Sequence, residues 1–340
     1  MALYQDDFKT NINIKEKEQT ARIHLQSKQE GFLYDKLFTN IIVPQIKGTF
    51  EIQAAGDNVV RDLSMSQDSA RIRLSHEQDE EVSYVLSKHS AEISHEEAYE
   101  QWKASNGKLE NILRSYSVMN REYDKAMDLK VEQHLRGLVT EKGVSTSNTP
   151  TDVYSEGNMH SLTGNDQFTE SADCDPVKEI KLAKNKIKQL VGTTENLNIV
   201  MHDDVWQAMQ SSDKLKRHCY GLGLGNNQPV VTFGSDVTKE VFAANFGFKN
   251  VFITERTVRE STGATPRNLY GNDIIIYISD YRQDTSSLSM GYSLELKGQP
   301  KMVWYATDPV DPKAGLAVFK SFYGYSFPNM KAGYLIKDCI

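Results

Sequence analysis

A single apolar stripe running from residue 108 to 136 constrains this chain more than any other feature. Leu109, Ile112, Leu113, Tyr116, Met119, Tyr123, Met127, Val131 and Leu135 recur at spacings dominated by three and four, which lines one face of an α-helix. The pattern predicts a helix over Lys108–Arg136, a rod of about 43 Å at ~1.5 Å per residue. Helices of globular domains average ~11–12 residues, so this one outgrows an ordinary compact core. Asn111, Arg114, Ser115, Asn120, Arg121, Asp124, Lys125 and Asp128 cover its other side. One stripe on so long a rod needs a sheet or a neighbouring molecule to lie on.

Charge is distributed just as unevenly. Residues 56–100 carry eleven acids, Asp57, Asp62, Asp68, Glu77, Asp79, Glu80, Glu81, Glu92, Glu96, Glu97 and Glu100, against four bases, Arg61, Arg71, Arg73 and Lys88. That local excess equals the net charge of the whole chain, −7. The stretch has no proline, and no glycine between Gly56 and Gly107. Apolar residues alternate around and within it: Phe50 with Ile52, Ile72 with Leu74, then Val82, Tyr84 and Leu86. Period-two alternation belongs to strands with one wet face, so the segment reads as a long, charged β-arm. A surface hairpin of an ordinary domain fits the same pattern; an arm reaching a neighbour is the functional reading.

Composition narrows the rest. The 340 residues suffice for two ordinary domains or one elaborated one. With 39% hydrophobic and 25% charged residues, a core is within reach and wholesale disorder is argued against. The longest strongly apolar run, Ile274–Ile278, falls far short of the ~20 residues of a membrane helix. The start, Met1-Ala2-Leu3-Tyr4-Gln5-Asp6-Asp7, has acids where a signal peptide has cations. Cys174, Cys219 and Cys339 are too few and too scattered for a disulfide framework or a zinc site, and suit a reducing cytosol. The negative balance argues against a generic nucleic-acid binder.

Along the chain, residues 1–30 read as an extended arm ordered only by partners, with Asn11–Lys15 as its one hint of a strand. Ser94-His95-Glu96-Glu97 has capping-box spacing and should open a short helix to about Ala104. Residues 143–172, rich in Ser, Thr, Asn, Gly and Asp, read as a long loop. Asp175-Pro176 then supplies N-cap and first-turn chemistry for a helix to Val191, stopped by Gly192. Ile180, Ala183, Ile187, Leu190 and Val191 form its stripe. A buried strand over Leu197–Met201 precedes a helix from Asp203 or Asp204 and a basic turn, Lys214–His218. Strands are expected at 229–233, 250–254, 273–279, 292–296 and 302–306, and a helix at 238–245.

Motifs for chemistry are weak. Tyr220-Gly221-Leu222-Gly223-Leu224-Gly225 has one residue too few before its last glycine for a dinucleotide loop, and it precedes a strand instead of a helix. It reads as a connector. No P-loop and no nucleophile elbow exist. His202-Asp203-Asp204 is explained by a helix start. His95-Glu96-Glu97 lacks the second histidine of a zincin helix. Lys178, Lys181, Lys184, Lys186 and Lys188 could touch phosphates, although a solvated helix face explains them too. Phe319, Phe322, Tyr323, Tyr325, Phe327 and Tyr334 read as core and edge packing.

Taken in order, the parts resemble the major capsid proteins of tailed bacteriophages. The residues that carry the resemblance are Asp175-Pro176-Val177-Lys178-Glu179-Ile180-Lys181-Leu182-Ala183-Lys184-Asn185-Lys186-Ile187, then Asn198-Ile199-Val200-Met201, then Asp204-Val205-Trp206-Gln207-Ala208-Met209. Upstream, Met119-Asn120-Arg121-Glu122-Tyr123-Asp124-Lys125-Ala126 resembles a stretch of that family's spine helix. No motif is diagnostic singly; their order and spacing across most of the chain carry the resemblance. It implies an α+β fold, the Hong Kong 97-like major capsid fold. Its parts would be an N-terminal arm (1–47), an extended β-loop (48–93), a spine helix and peripheral domain (94–228), and an axial domain (229–340) with strands returning to the peripheral domain.

The resemblance further implies a self-assembling structural protein and not an enzyme, with no cofactor and no metal. Pentamers and hexamers would close into an icosahedral shell around double-stranded DNA, held non-specifically on the inner face. Scaffolding, portal and decoration proteins are the implied partners, with no membrane, in a virion assembled in the host cytoplasm. Arg71, Arg73, Glu77, Asp79, Glu80 and Glu81 are the candidate inter-subunit contacts. Residues 1–30 are short for a built-in scaffolding segment, so a separate scaffolding protein is expected. Two other readings remain open: an encapsulin-like nanocompartment shell, and a nucleotide-binding enzyme using Gly221–Gly225.

Overall fold

The computed structural model describes residues 32–53, 79–94, 110–138, 153–169, 174–220, 236–259, 263–280, 288–297, 302–306 and 316–340. In chain order its elements are β1 (Thr39–Val43), β2 (Lys47–Gln53), β3 (Asp79–Val85), β4 (Ser87–Ser94), α1 (Glu110–Leu135), β5 (Met159–Ser161), α2 (Pro176–Val191), β6 (Leu197–His202), α3 (Asp203–Ser211), α4 (Asp213–Tyr220), α5 (Lys239–Phe246), β7 (Asn250–Thr254), β8 (Thr257–Val258), β9 (Arg267–Asn268), β10 (Ile274–Ile278), β11 (Tyr292–Leu296), β12 (Met302–Ala306), β13 (Leu316–Ser326) and β14 (Gly333–Lys337). They fall into two compact units. The first comprises Met1–Gly48, Ser83–Val131 and Ser293–Tyr325; the second comprises Thr49–Val82, Glu132–Tyr292 and Ser326–Ile340.

In the first unit, a sheet has the order β1-β11-β13-β12, with β4 also on β13. β13 is antiparallel to β12, from Met302 opposite Lys320 to Ala306 opposite Leu316. It is antiparallel to β4 from Ser94 opposite Leu316 to Ser87 opposite Tyr323. The Lys297 N–H donates to the Val43 carbonyl at 2.8 Å and the Ser293 hydroxyl to the Thr39 carbonyl at 3.2 Å, which seats β1. The predicted rod is present as α1, 26 residues long. Its stripe residues Tyr123, Met127, Val131 and Leu135 are buried.

α1 also buries Asp124 and Asp128, which the periodicity assigns to its wet side. The turn after Phe32 accounts for this. Asp128 Oδ1 accepts the N–H of Leu33 at 3.0 Å and of Tyr34 at 2.7 Å, and the Tyr34 hydroxyl donates to Asp124 at 2.9 Å. Carboxylates stay buried only where donors meet them. Burial, and then the adjacent Asp124, pushes the Tyr34 hydroxyl far above its usual range, so it remains a donor.

The second unit is built on the sheet β5-β14-β10-β6-β7. β10 is antiparallel to both neighbours, with Ile276 opposite Tyr334 on one side and Ile199 on the other. β5 and β7 run parallel to β14 and β6. β6 and β10 are buried along their whole length, as strands covered on both faces are. The helices start and stop as their sequences dictate. Asp175 accepts the Lys178 N–H at 3.0 Å, and Gly192 ends α2 at φ 80°. Thr238 caps α5, and Gly247 ends it at φ 67°.

Strand β6 pairs with β7 and β10, both later in the chain. Three expectations change. The polar stretch 143–172, expected as a loop, supplies β5, and its Leu162 N–H donates to the Lys337 carbonyl at 3.0 Å. The basic segment after Met209 is a helix, α4, with Leu215 buried. The cap of α3 is His202, whose Nδ1 accepts the Asp204 N–H at 3.2 Å. Asp203 and Asp204 sit in the first turn, at the positive end of the helix dipole. The helix expected to open at Ser94-His95-Glu96-Glu97, the strand at 229–233 and the hint at Asn11–Lys15 lie outside the described residues.

Two substitutions test this packing in urea melts. A Cβ at Gly291 would sit 2.5 Å from Phe327 Cδ1 and 3.1 Å from the Ser326 carbonyl oxygen, so Gly291→Ala should cost about 1–3 kcal/mol. Asp175→Ala should cost about 1 kcal/mol through loss of the cap. Midpoints equal to the parent's would refute both assignments.

Candidate functional site

The candidate contact residues divide into two groups. Arg71, Arg73 and Glu77 lie outside the described residues, while Asp79, Glu80 and Glu81 open β3, which among the described residues pairs with β2. The root of this pair, within the first unit, is closely specified. Tyr84 is buried and its hydroxyl donates to the Gln45 carbonyl at 3.2 Å. The Leu86 N–H donates to the Ile46 carbonyl at 2.8 Å. A Cβ at Gly48 would come within 2.9 Å of the Tyr84 hydroxyl oxygen, so only glycine lets the backbone pass this ring. Ile42 and Ile46, beside this root, are 55% and 42% exposed.

A charge cluster at the end of α1, in the second unit, has no counterpart in the sequence reading. The fully buried Glu132 accepts from Arg136 Nη1 at 2.9 Å, from Arg267 Nη1 at 2.8 Å and from Arg267 Nη2 at 2.9 Å. Arg136 Nε donates to Asp273 Oδ2 at 2.7 Å, and Asp273 Oδ1 accepts the Asp338 N–H at 3.1 Å. Burial raises the Asp273 carboxyl, and Arg136 pulls it back. Burial also works against the Arg136 charge, but Asp273 and Glu132 outweigh it and hold that group charged. The cluster clamps a helix end, a hairpin, a strand start and the C-terminal segment. The one signal available in sequence was the Glu132/Arg136 spacing of four.

The lysine helix α2 presents a different surface. Lys178, Lys181, Leu182, Asn185, Lys188 and Gln189 are exposed. Its one acid, Glu179, is buried against His160 Nδ1 at 2.7 Å. Lys184 turns inward, donating to the Phe246 carbonyl and lying 5.8 Å from the Phe248 ring centroid. α4 packs beside α2, and there burial, then the charge of Lys181, lowers the His218 pKa. An open groove of about 620 Å³ lies between α2 and Gly157. Among the described residues no carboxylate pairs with Lys178, Lys181, Lys186 or Lys188.

Other candidates carry less. Gly221–Gly225 lies outside the described residues. Of the C-terminal aromatics, Tyr323, Phe327 and Tyr334 are buried, and Tyr323 packs edge-on against Tyr34 at 6.0 Å. Among the described residues no group of His, Cys, Asp and Glu could hold a metal ion, and no helix is long and apolar enough to cross a membrane.

No family model and no curated protein matches the sequence. Solved structures do match. A phage-related protein from Bordetella bronchiseptica superposes with a TM-score of 0.64 at 19% identity, covering 94% of this chain and 97% of that one. A virus-like particle from Pyrococcus furiosus gives 0.49 at 7% identity over 94% and 98%. The mature capsid of bacteriophage PhiM1 gives 0.44 at 11% over 89% and 86%. The chain thus has an α+β fold shared with that phage-related protein, the fold class that the sequence resemblance implies.

Removing the centre of the charge cluster would leave two arginines facing an uncharged amide. Glu132→Gln should therefore destabilise the chain by about 2–4 kcal/mol. Thermal and urea unfolding measure this loss, and a neutral result would show that solvent reaches Arg136 and Arg267 freely enough to replace the carboxylate.

Proposed function

We propose that this chain is the building block of a protein shell, a major capsid protein whose copies associate through extended limbs. The observation that supports this most is the fold shared end to end with a phage-related protein, at a TM-score of 0.64 over 94% of this chain. In this reading pentamers and hexamers close into an icosahedral head around double-stranded DNA, in a virion assembled in the host cytoplasm. Scaffolding, portal and decoration proteins are its partners, and the chain performs no catalysis and needs no cofactor.

The parts take roles accordingly. Residues 1–47 are the N-terminal arm, 48–93 the extended loop and α1 the spine helix. The first unit's sheet corresponds to the peripheral domain. The axial domain takes in the segments after 229 other than β11, β12 and β13, which return to the peripheral domain, and α2, α3 and α4 join it beside β6, the partner of β7 and β10. Association between copies adds stability by mass action. Rim charges on the loop set register more than affinity.

Electron microscopy of the expressed chain tests the reading: closed particles of uniform diameter are expected, and a solitary particle at every concentration would refute it. The ratio of absorbance at 260 and 280 nm of particles from infected cells separates a DNA head from a compartment filled with protein. Asp79→Lys/Glu80→Lys/Glu81→Lys should abolish most particles while the far-ultraviolet circular dichroism stays unchanged. Full particle yield from this variant would remove the loop assignment.

A further inference from the structure

The groove on α2 has the make-up of a receptor for an acidic segment. Lys178, Lys181 and Lys186 stand around Leu182, which is 41% exposed, and Val177 adds further apolar wall. An apolar centre within a charged rim is the anatomy of a protein interface. A surface that holds a phosphate backbone needs cations and hydrogen-bond donors but no apolar centre. The groove has one acid, Asp175, and that side chain accepts the Lys178 N–H as the helix cap. Three lysines against one carboxylate leave the rim net positive, in a chain whose net charge is −7.

The complement lies in the same sequence. Asp79-Glu80-Glu81 opens β3, and strand alternation puts the acids Asp79 and Glu81 on one face, the charge that a lysine rim requires. We propose that the α2 groove seats the start of β3 from a second copy of this chain. The proposal rests on the self-assembly reading above. It gives each copy one groove and one acidic strand, a head-to-tail contact that repeats around a ring when the rotation closes. The lysines fix register, and salt weakens the contact because the rim stays wet.

Zero-length carbodiimide cross-linking of particles assembled from an equal mixture of isotope-labelled and unlabelled full-length chains tests it. Mass spectrometry should find mixed-isotope links joining Lys178, Lys181 or Lys186 to the peptide that contains Asp79, Glu80 and Glu81. Lys178→Glu/Lys181→Glu/Lys186→Glu should lower particle yield on the order of tenfold, since several rim pairs are lost at every contact. Combining it with Asp79→Lys/Glu80→Lys/Glu81→Lys in one chain should restore the yield. Wild-type particles whose groove lysines link only elsewhere overturn the proposal and leave shell formation standing. Full particle yield from the lysine variant, with reduced retention of duplex DNA, overturns it in favour of a phosphate-binding face. A wild-type chain that forms no particles overturns the shell reading itself.

Discussion

Asp124, Asp128 and Glu132 form a row of carboxylates spaced four residues apart on α1, and all three are at most 1% exposed. A buried carboxylate without donors is costly enough to undo a domain, so each one dictates what must come to it. Asp128 draws the backbone of Leu33 and Tyr34, Asp124 draws the Tyr34 hydroxyl, and Glu132 draws Arg136 and Arg267. Apolar contact alone is indifferent to register. These donors are not, and they fix which residue of a remote segment meets which turn of the helix.

The second unit adds a complementary constraint through β10. Five consecutive buried residues, Ile274–Ile278, leave no face for water, so cover is needed on both sides. Strands β14 and β6 flank it, and caps at Asp175, His202 and Thr238 each satisfy one of the free N–H groups at a helix start. The outer side of α2 is left to lysines, and among the described residues no carboxylate pairs with Lys178, Lys181, Lys186 or Lys188. A surface charge pattern unexplained by the fold is then available for another purpose.

What could be read in advance followed from how local each signal is. α2 was legible to the residue, since Asp175-Pro176, the apolar spacing and Gly192 all lie within its own length. β10 announced itself as an uninterrupted apolar run. β5 did not: Met159-His160-Ser161 has no alternation, and only pairing with β14, far along the chain, makes it a strand. The pairing of Glu132 with Arg267 spans 135 positions and leaves no mark at either end. Of the candidate site, the acidity of Asp79–Glu81 was plain in the sequence. The groove around Leu182 was not, because it depends on Gly157 coming alongside α2.

The attachment of the turn after Phe32 to α1 has a mechanical side. Two backbone N–H groups on a single carboxylate oxygen act as a cleat, and a tyrosine hydroxyl on the next carboxylate doubles it. Tension applied through the preceding residues would be taken up at Leu33 and Tyr34 and delivered to the middle of a helix about 39 Å long, well away from its fraying ends. Such a pull thus loads α1 before it reaches β1.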